Sequence, residues 1–276
     1  MLRLPTTLRA MSDAALSVAR LAGTGPHRAP VLVREQLDLL DTLDAGELRA
    51  GVCALVRDVL AVVPGSYDQV AGRLRRDGRY TPETLAGFLS LCVEVRAALL
   101  SHDPLETGPA EVLHYGRALA RALRAAARPG SLSHGADALL GLLVAARVAR
   151  LSGLLDASGE QAHADLVRRA GGPTRLPLGT TAEDVLTALV HGCAGRHLPR
   201  RRAAGTGADR VRLVLLDDLG APHLEHGRAL TPAGTDVLRA ALDAFTTGPG
   251  PGPGQGQGAG RDRALMPPGR QAPESR

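Results

Sequence analysis

A row of basic side chains recurs along one predicted helix: His114, Arg117, Arg121, Arg124 and Arg128. Neighbouring members are three or four residues apart, and such residues share one face of an α-helix. Guanidinium groups donate paired hydrogen bonds to carboxylates and phosphates. We therefore predict that this row, the basic stripe, is a docking face. An acidic protein surface is the leading partner, and phosphate or an anionic surface is the alternative.

The basic stripe also has an interpretation that needs no partner. Charges on a helix face can be solvated, or they can pair with another helix inside the fold. A predicted helix from Pro30 to about Leu43 carries Glu35, Asp38 and Asp41 on its polar side. The sequence leaves the docking interpretation and this structural interpretation open.

A second basic cluster contains Arg196, Arg200, Arg201 and Arg202 in a polar, Gly-containing stretch. Arginine suits phosphate recognition because its planar fork matches phosphate oxygens. The cluster predicts contact with a nucleic-acid backbone, or a nuclear localisation patch in a eukaryotic host. A flexible charged linker is the structural alternative.

Five potential zinc ligands lie close together in the C-terminal part of the sequence: His191, Cys193, His197, His223 and His226. Imidazole and thiolate groups suit tetrahedral Zn²⁺. Their spacing matches no common zinc template, so we predict no cofactor and keep zinc as the alternative.

Composition excludes several enzyme classes. All 33 Lys+Arg residues are arginine, and Asn, Ile and Trp are absent as well, which is typical of a GC-rich genome such as that of a bacterium or a large DNA virus. Without lysine there is no Schiff-base or phosphate-loop lysine. The sequence also lacks a nucleophile elbow, an H-E-x-x-H motif and a Rossmann fingerprint between a strand and a helix. We name no catalytic residue and favour a protein that is not an enzyme.

The elements that position these residues are predicted to be mainly helical. The apolar run over Gly135–Leu155 predicts a buried central helix, and it is too short and too rich in arginine to span a membrane. A short connection pairs it with the helix of the basic stripe. Capping signals predict six or seven helices, so residues 1–172 are predicted to form a multi-helix bundle with short connections. The predicted caps include Asp44 with Glu47, Thr81 with Pro82, Ser158 and, beyond the bundle, Thr180 with Glu183.

The pattern changes after Pro173. A helix and the basic loop come first, followed by a strand over Val211–Leu216 with a hairpin partner over His223–Leu230. Thr231 and Pro232 then predict the start of a last helix. This small α+β module, residues 175–245, resembles a winged-helix module, and that resemblance implies DNA binding. The Gly/Pro-rich tail, residues 246–276, is predicted to be disordered.

These observations predict a helical scaffold or protein–protein interaction protein that is soluble and cytoplasmic. A DNA-binding regulator that uses the C-terminal module is the alternative, with nucleic acid as its partner and a nuclear location in a eukaryotic host. The formal net charge of +5 favours acidic partners only weakly. The sequence leaves the oligomeric state open.

Overall fold

The computed structural model describes residues 2–20, 27–133, 135–192 and 210–246. Within these ranges the chain forms the α-helices α1 Ala45–Gly51, α2 Cys53–Ala61, α3 Tyr67–Arg73, α4 Pro82–Leu100, α5 Arg117–Ala126, α6 Ala136–Leu151, α7 Ala157–Arg169, α8 Ala182–Gly192 and α9 Thr235–Asp243. Its strands are β1 Leu2–Arg3, β2 Ala19–Arg20, β3 His27–Arg28, β4 Leu32–Val33, β5 Arg210–Val214, β6 Leu216–Asp218, β7 Ala221–Pro222 and β8 Leu230–Gly234.

Helix α6 is the centre of the hydrophobic core, as its sequence predicts. Leu140, Val144 and Ala145 are fully buried, and α6 packs against α5, α7 and α9. Each buried leucine or valine contributes about 1.5–3 kcal/mol before conformational entropy is counted. Among the described helices none is long and apolar enough to span a membrane.

Helices α5 and α6 approach each other unusually closely at two glycines. Gly116 has a left-handed backbone, φ 73°, which separates a 3₁₀ turn over Pro109–His114 from α5. A Cβ atom on Gly141 of α6 would lie 2.6 Å from the carbonyl oxygen of Gly116. This close packing places the first turn of α5 directly against α6.

The N-terminal region differs from the prediction. Residues Leu32–Val33 form β4, which pairs in parallel with β1, and a 3₁₀ helix covers Leu37–Thr42. The predicted helix from Pro30 to Leu43 is therefore wrong, because its first part extends along β1 and its second part makes only short-range turns. Glu35, Asp38 and Asp41 do not share a helix face that could pair with the basic stripe.

The C-terminal strands also pair differently from the predicted hairpin. Strand β5 pairs in antiparallel fashion with β8, while β6 and β7 form a separate short hairpin. Thr231 and Pro232 lie in β8, so they do not cap the last helix. Val211 and Ala233 face each other and are both buried, which sets this register.

The hydrophobic cluster is continuous from the N-terminal helices to the last helix. Leu189 of α8, Val211 of β5 and Leu238 of α9 belong to the same cluster as the residues of α2 and α6. The boundary that the sequence predicts near residue 173 stays a prediction. The Arg196–Arg202 loop lies outside the described residues, as does the tail after Thr246.

Candidate functional site

A cluster of charged side chains lies where the N-terminal segment, α2, α4 and α5 meet. It consists of Asp13, Arg57, Asp58, Arg96, Glu106, His114 and Arg117, and we call it the arginine–carboxylate cluster. Burying ionised groups is costly unless they are paired, and this cluster pairs them extensively. Such a concentration of buried charge marks a candidate functional site.

Asp13 lies at the centre of the cluster, on a helical turn formed by Ala10–Ala14. One of its carboxylate oxygens accepts a hydrogen bond from Arg96. The other lies 3.7 Å from Nη1 of Arg57 and 3.9 Å from Nη2 of Arg117. One carboxylate therefore faces three guanidinium groups that come from three different helices.

Arg57 is held mainly by its neighbour in the chain. Its Nε and Nη2 atoms donate to one oxygen of Asp58 at 2.9 and 2.7 Å, and both side chains are buried. Burial raises the pKa of Asp58, although the charge of Arg57 and its hydrogen bonds oppose that rise. Burial also raises the pKa of the neighbouring Cys92 thiol. The Arg57–Asp58 ion pair is therefore a buried part of the cluster.

Glu106 is the second carboxylate that faces Arg96, at 3.8 Å from Nη1. Ser17 donates to it at 2.8 Å, and Nε2 of His114 lies 3.0 Å from it. Burial alone would raise the pKa of Glu106, but the hydrogen bonds from His114 and Ser17 and the charge of Arg96 lower it to about 2. Its φ of 55° is a strained conformation for a residue other than glycine.

The orientation of His114 follows from its two partners. Arg117 can only donate hydrogen bonds, so Nδ1 of His114, which lies 2.7 Å from Nη1 of Arg117, is the acceptor. Nε2 then carries the proton and donates to Glu106. His114 in this neutral tautomer links Glu106 to Arg117 and holds both in place.

Replacing Glu106 with glutamine is expected to flatten the acid limb of the stability curve. The pKa of Glu106 falls from 4.5 to about 2 on folding, so this carboxylate stabilises the protein above pH 4.5 and the stabilisation is lost as the pH falls towards 2. The shift corresponds to about 3 kcal/mol. Urea unfolding of the wild type and the variant at a series of pH values measures this pH-dependent stabilisation. Equal slopes for the wild type and Glu106→Gln between pH 5 and pH 2.5 would contradict the assignment.

Arg117 is the member of the cluster that reaches solvent. Its side chain is 40% exposed, whereas those of Arg57 and Arg96 are 8% and 2% exposed. Burial lowers the pKa of Arg117 to about 10, and the fields of Arg57, Arg121 and Arg9 act in the same direction while that of Glu106 opposes them. Three cations therefore act on this half-exposed side chain, and their fields favour an anion there.

The basic stripe is only partly a surface feature. Its two N-terminal members, His114 and Arg117, join the cluster, and Arg124 forms an ion pair with Asp137, which is fully buried. Arg121 and Arg128 are exposed. His114 precedes α5 and Arg128 follows its end, so the five residues do not lie on one continuous helix. Docking on this stripe stays a prediction.

Sequence reasoning missed Asp13, Arg57, Asp58, Arg96 and Glu106. A signal was present for the helical members, because Arg57 and Asp58 interrupt the apolar run CALVRDVLA and Arg96 interrupts LCVEVRAALL. Charged residues on the buried face of a helix require a partner of opposite charge. No sequence signal identifies that partner, since Arg96 and Asp13 are 83 residues apart.

The five predicted zinc ligands are not brought together within the described residues. Nδ1 of His191 lies 2.7 Å from the carbonyl oxygen of Thr187, and Nδ1 of His223 lies 2.8 Å from Asp217. His226 lies in a turn, and Cys193 and His197 fall outside the described residues. The zinc alternative stays a prediction.

The part of the chain that contributes the C-terminal members of the cluster resembles an enzyme family. The family model described as 3-dehydroquinate synthase C-terminal matches residues 65–192. That range runs from α3 to the end of α8, so it contains Arg96, Glu106 and Arg117 of the cluster.

Individual relatives make the resemblance more specific. The 2-deoxy-scyllo-inosose synthase of Streptoalloteichus tenebrarius is 33% identical over 255 residues, which are 88% of this chain and 64% of that protein. The 2-deoxy-scyllo-inosose synthase of Streptomyces kanamyceticus is 30% identical over 256 residues, which are 90% of this chain and 64% of that protein. The chain thus spans slightly less than two thirds of the length of these relatives.

Solved structures give the same picture of the fold. A 2-deoxy-scyllo-inosose synthase complexed with carbaglucose-6-phosphate, NAD⁺ and Co²⁺ superposes with a TM-score of 0.76 at 23% identity, covering 88% of this chain and 66% of that one. A 2-epi-5-epi-valiolone synthase from Streptomyces hygroscopicus with NAD⁺ and Zn²⁺ bound superposes with a TM-score of 0.70 at 20% identity, covering 88% and 65%.

These similarities correct the fold and function predictions. A mainly helical bundle with an appended α+β module is wrong as the fold class, because the chain shares the fold of α/β synthases over 88% of its length. The scaffold prediction is wrong because the relatives are synthases. The alternative, a DNA-binding regulator, is wrong for the same reason. Helical periodicity predicts several of the individual helices, such as α4 and α6, but it led to the wrong overall architecture.

The groups bound in those synthases can be tested against the residues present here. Among the described residues, no group of three or more His, Cys, Asp or Glu side chains could hold a metal ion. The carboxylates of the cluster face guanidinium groups instead, so the described donor set does not fit Co²⁺ or Zn²⁺. No described helix begins with a G-x-G-x-x-G run, and we assign no residue of this chain to NAD⁺.

Proposed function

We propose that this chain is part of a sugar-phosphate cyclase and that it binds a phosphorylated six-carbon sugar at the arginine–carboxylate cluster. One observation carries the proposal: the half-exposed side chain of Arg117 lies at the edge of a buried cluster, where the fields of Arg57, Arg121 and Arg9 act on it. The 33% identity to a 2-deoxy-scyllo-inosose synthase supports the class, and the carbaglucose-6-phosphate in a related structure supports the ligand.

The charges of the cluster favour a phosphate monoester. Within the cluster the guanidiniums of Arg57, Arg96 and Arg117 balance the carboxylates of Asp13, Asp58 and Glu106, and the adjacent Arg121 adds one positive charge beside Arg117. A phosphate monoester carries a charge of about −1.5 to −2 near pH 7. Binding would therefore relieve the repulsion between Arg117 and its cationic neighbours.

Arg117 is also positioned in advance of binding. Asp13 lies 3.9 Å from its Nη2 atom and His114 lies 2.7 Å from its Nη1 atom, while 40% of the side chain stays exposed. A fixed guanidinium loses less conformational entropy when it donates two parallel hydrogen bonds to phosphate oxygens. Arg121, one helical turn further along α5, is exposed on the same helix and can reach the same anion.

Replacing Arg117 with glutamine is expected to weaken glucose 6-phosphate binding by about tenfold to a hundredfold, the usual worth of a hydrogen bond to a charged group. Calorimetric titration of the wild type and Arg117→Gln with glucose 6-phosphate measures the effect. Arg168→Gln removes an exposed arginine from α7 and serves as the matched control. Equal affinity of the wild type for glucose and glucose 6-phosphate, or no loss in Arg117→Gln, would reject the proposed site.

A cytoplasmic location is supported by the similarity to biosynthetic synthases. The docking of an acidic protein on the exposed members of the basic stripe, Arg121 and Arg128, is a separate hypothesis. It competes with sugar phosphate for Arg121, so glucose 6-phosphate should displace such a partner if both use this side chain.

A further inference from the structure

We infer that the arginine–carboxylate cluster binds its ligand without a divalent cation and that the guanidiniums of Arg57, Arg96 and Arg117 supply the positive charge at this position. The part of this inference that concerns the ligand rests on the proposed function. The part that concerns the metal does not, because it follows from the donor groups alone.

The carboxylates of the cluster are committed to arginine. Asp58 receives two hydrogen bonds from Arg57, and Asp13 faces Arg57, Arg96 and Arg117. Glu106 is held by Ser17, His114 and Arg96. A metal ion bound to any of these oxygens would displace an existing donor and lie beside a fixed guanidinium. Repulsion between like charges is strong where solvent is excluded.

The imidazole of the cluster is unsuited to a metal for a separate reason. Nδ1 of His114 already accepts a hydrogen bond from Arg117, and Nε2 donates its proton to Glu106. A metal ligand needs a free ring nitrogen lone pair. Binding a cation through His114 would therefore break its contact with Arg117 or with Glu106.

An anion has the opposite effect on the same groups. A divalent cation would add to the positive fields of Arg57, Arg121 and Arg9 at Arg117, whereas a phosphate would offset them. Two synthases solved with Co²⁺ or Zn²⁺ bound share the fold of this chain, so the fold alone does not exclude a metal and the exclusion follows from the side chains of the cluster. We therefore expect the cluster to exclude a cation and to attract an anion.

Metal analysis of the purified chain tests the cation part. The protein is loaded with excess Co²⁺ or Zn²⁺, desalted and assayed by mass spectrometry, alongside a Cys193→Ala/His197→Ala variant that lacks two of the predicted zinc ligands. We expect far less than one ion per chain, or a bound ion that this double variant loses. One ion per chain that the double variant keeps, and that Asp13→Asn or Glu106→Gln loses, would overturn the inference.

Calorimetry with and without a chelator tests the ligand part. Glucose 6-phosphate affinity is expected to be unchanged by EDTA and by added Co²⁺. An affinity that falls at least tenfold in EDTA and returns with Co²⁺ would overturn the inference while leaving the proposed function intact. If glucose 6-phosphate does not bind under any condition, the proposed function fails, and the metal analysis alone decides the inference.

Discussion

Replacing Arg96 with methionine is expected to destabilise the protein by about 3–5 kcal/mol, the usual cost of removing one partner from a buried ion pair. Arg96 is 1% exposed and contacts both Asp13 and Glu106. Methionine has similar length, so it fills much of the same space but leaves two carboxylates without their main counter-ion. Burial lowers the pKa of Arg96 to about 10, so it remains charged near pH 7.

Urea unfolding of wild type and Arg96→Met measures this change in free energy. Arg79→Met, at an exposed arginine, is the control and should lie within about 0.5 kcal/mol of wild type. The double variant Asp13→Asn/Arg96→Met should recover part of the loss, because it also removes one uncompensated charge. A loss below about 1 kcal/mol for Arg96→Met would resemble that of a solvated surface pair and would contradict the buried cluster.

Local capping signals were predicted well from the sequence because they depend on neighbouring residues. Asp44 and Glu47 form the predicted capping box of α1, and Thr81 with Pro82 begins α4 as predicted. The caps of α7 and α8 lie one or two residues away from the predicted positions. Thr181 and Asp184 form the reciprocal contact assigned to Thr180 and Glu183, and Asp156 rather than Ser158 caps α7.

The architecture could not be predicted in the same way. Strands of two residues, such as β1 and β4, leave almost no periodic pattern, and their partners are about thirty residues apart in the sequence. Helix periodicity, charge spacing and short catalytic motifs likewise do not indicate the similarity to the synthases. Periodicity reports which face of an element is buried, not what covers it.

The candidate site shows the same limit. Arg117 was found because its spacing from Arg121 marks a helix face, whereas Asp13 lies in a short turn with no pattern of its own. The contacts between them exist only because four segments converge. The spacing of the basic stripe thus indicated an unusual placement of arginine, but three of its members, His114, Arg117 and Arg124, face carboxylates within the fold.

The convergence of those segments depends on how closely α5 approaches α6. Replacing Gly141 with alanine is expected to destabilise the protein by about 1–3 kcal/mol, as overpacking of a core usually does. The new Cβ atom would lie 2.6 Å from the carbonyl oxygen of Gly116 and 2.9 Å from the backbone nitrogen of Ala120. Both are backbone atoms, so the clash can be relieved only by moving one helix.

Gly87→Ala is the matched control because Gly87 also lies inside a helix, α4, but is exposed. Its nearest neighbour would be Nη1 of Arg73 at 3.6 Å, an ordinary contact. Alanine has the higher helix propensity, so this variant should be more stable by about 0.5–1 kcal/mol. Urea unfolding should therefore show a lower free energy of unfolding for Gly141→Ala and a higher one for Gly87→Ala. Opposite changes are expected only if helix packing determines the stability of Gly141→Ala.

The same pair of variants connects packing to the site. Arg117 is the first residue of α5 and directly follows Gly116, so a shift of α5 away from α6 would move its guanidinium relative to Asp13 and Glu106. Gly141→Ala should therefore weaken glucose 6-phosphate binding in molecules that remain folded, while Gly87→Ala should leave it unchanged. Unchanged affinity in folded Gly141→Ala would mean that the position of Arg117 is set by the ion pairs alone, because α5 could then move without loss of the site.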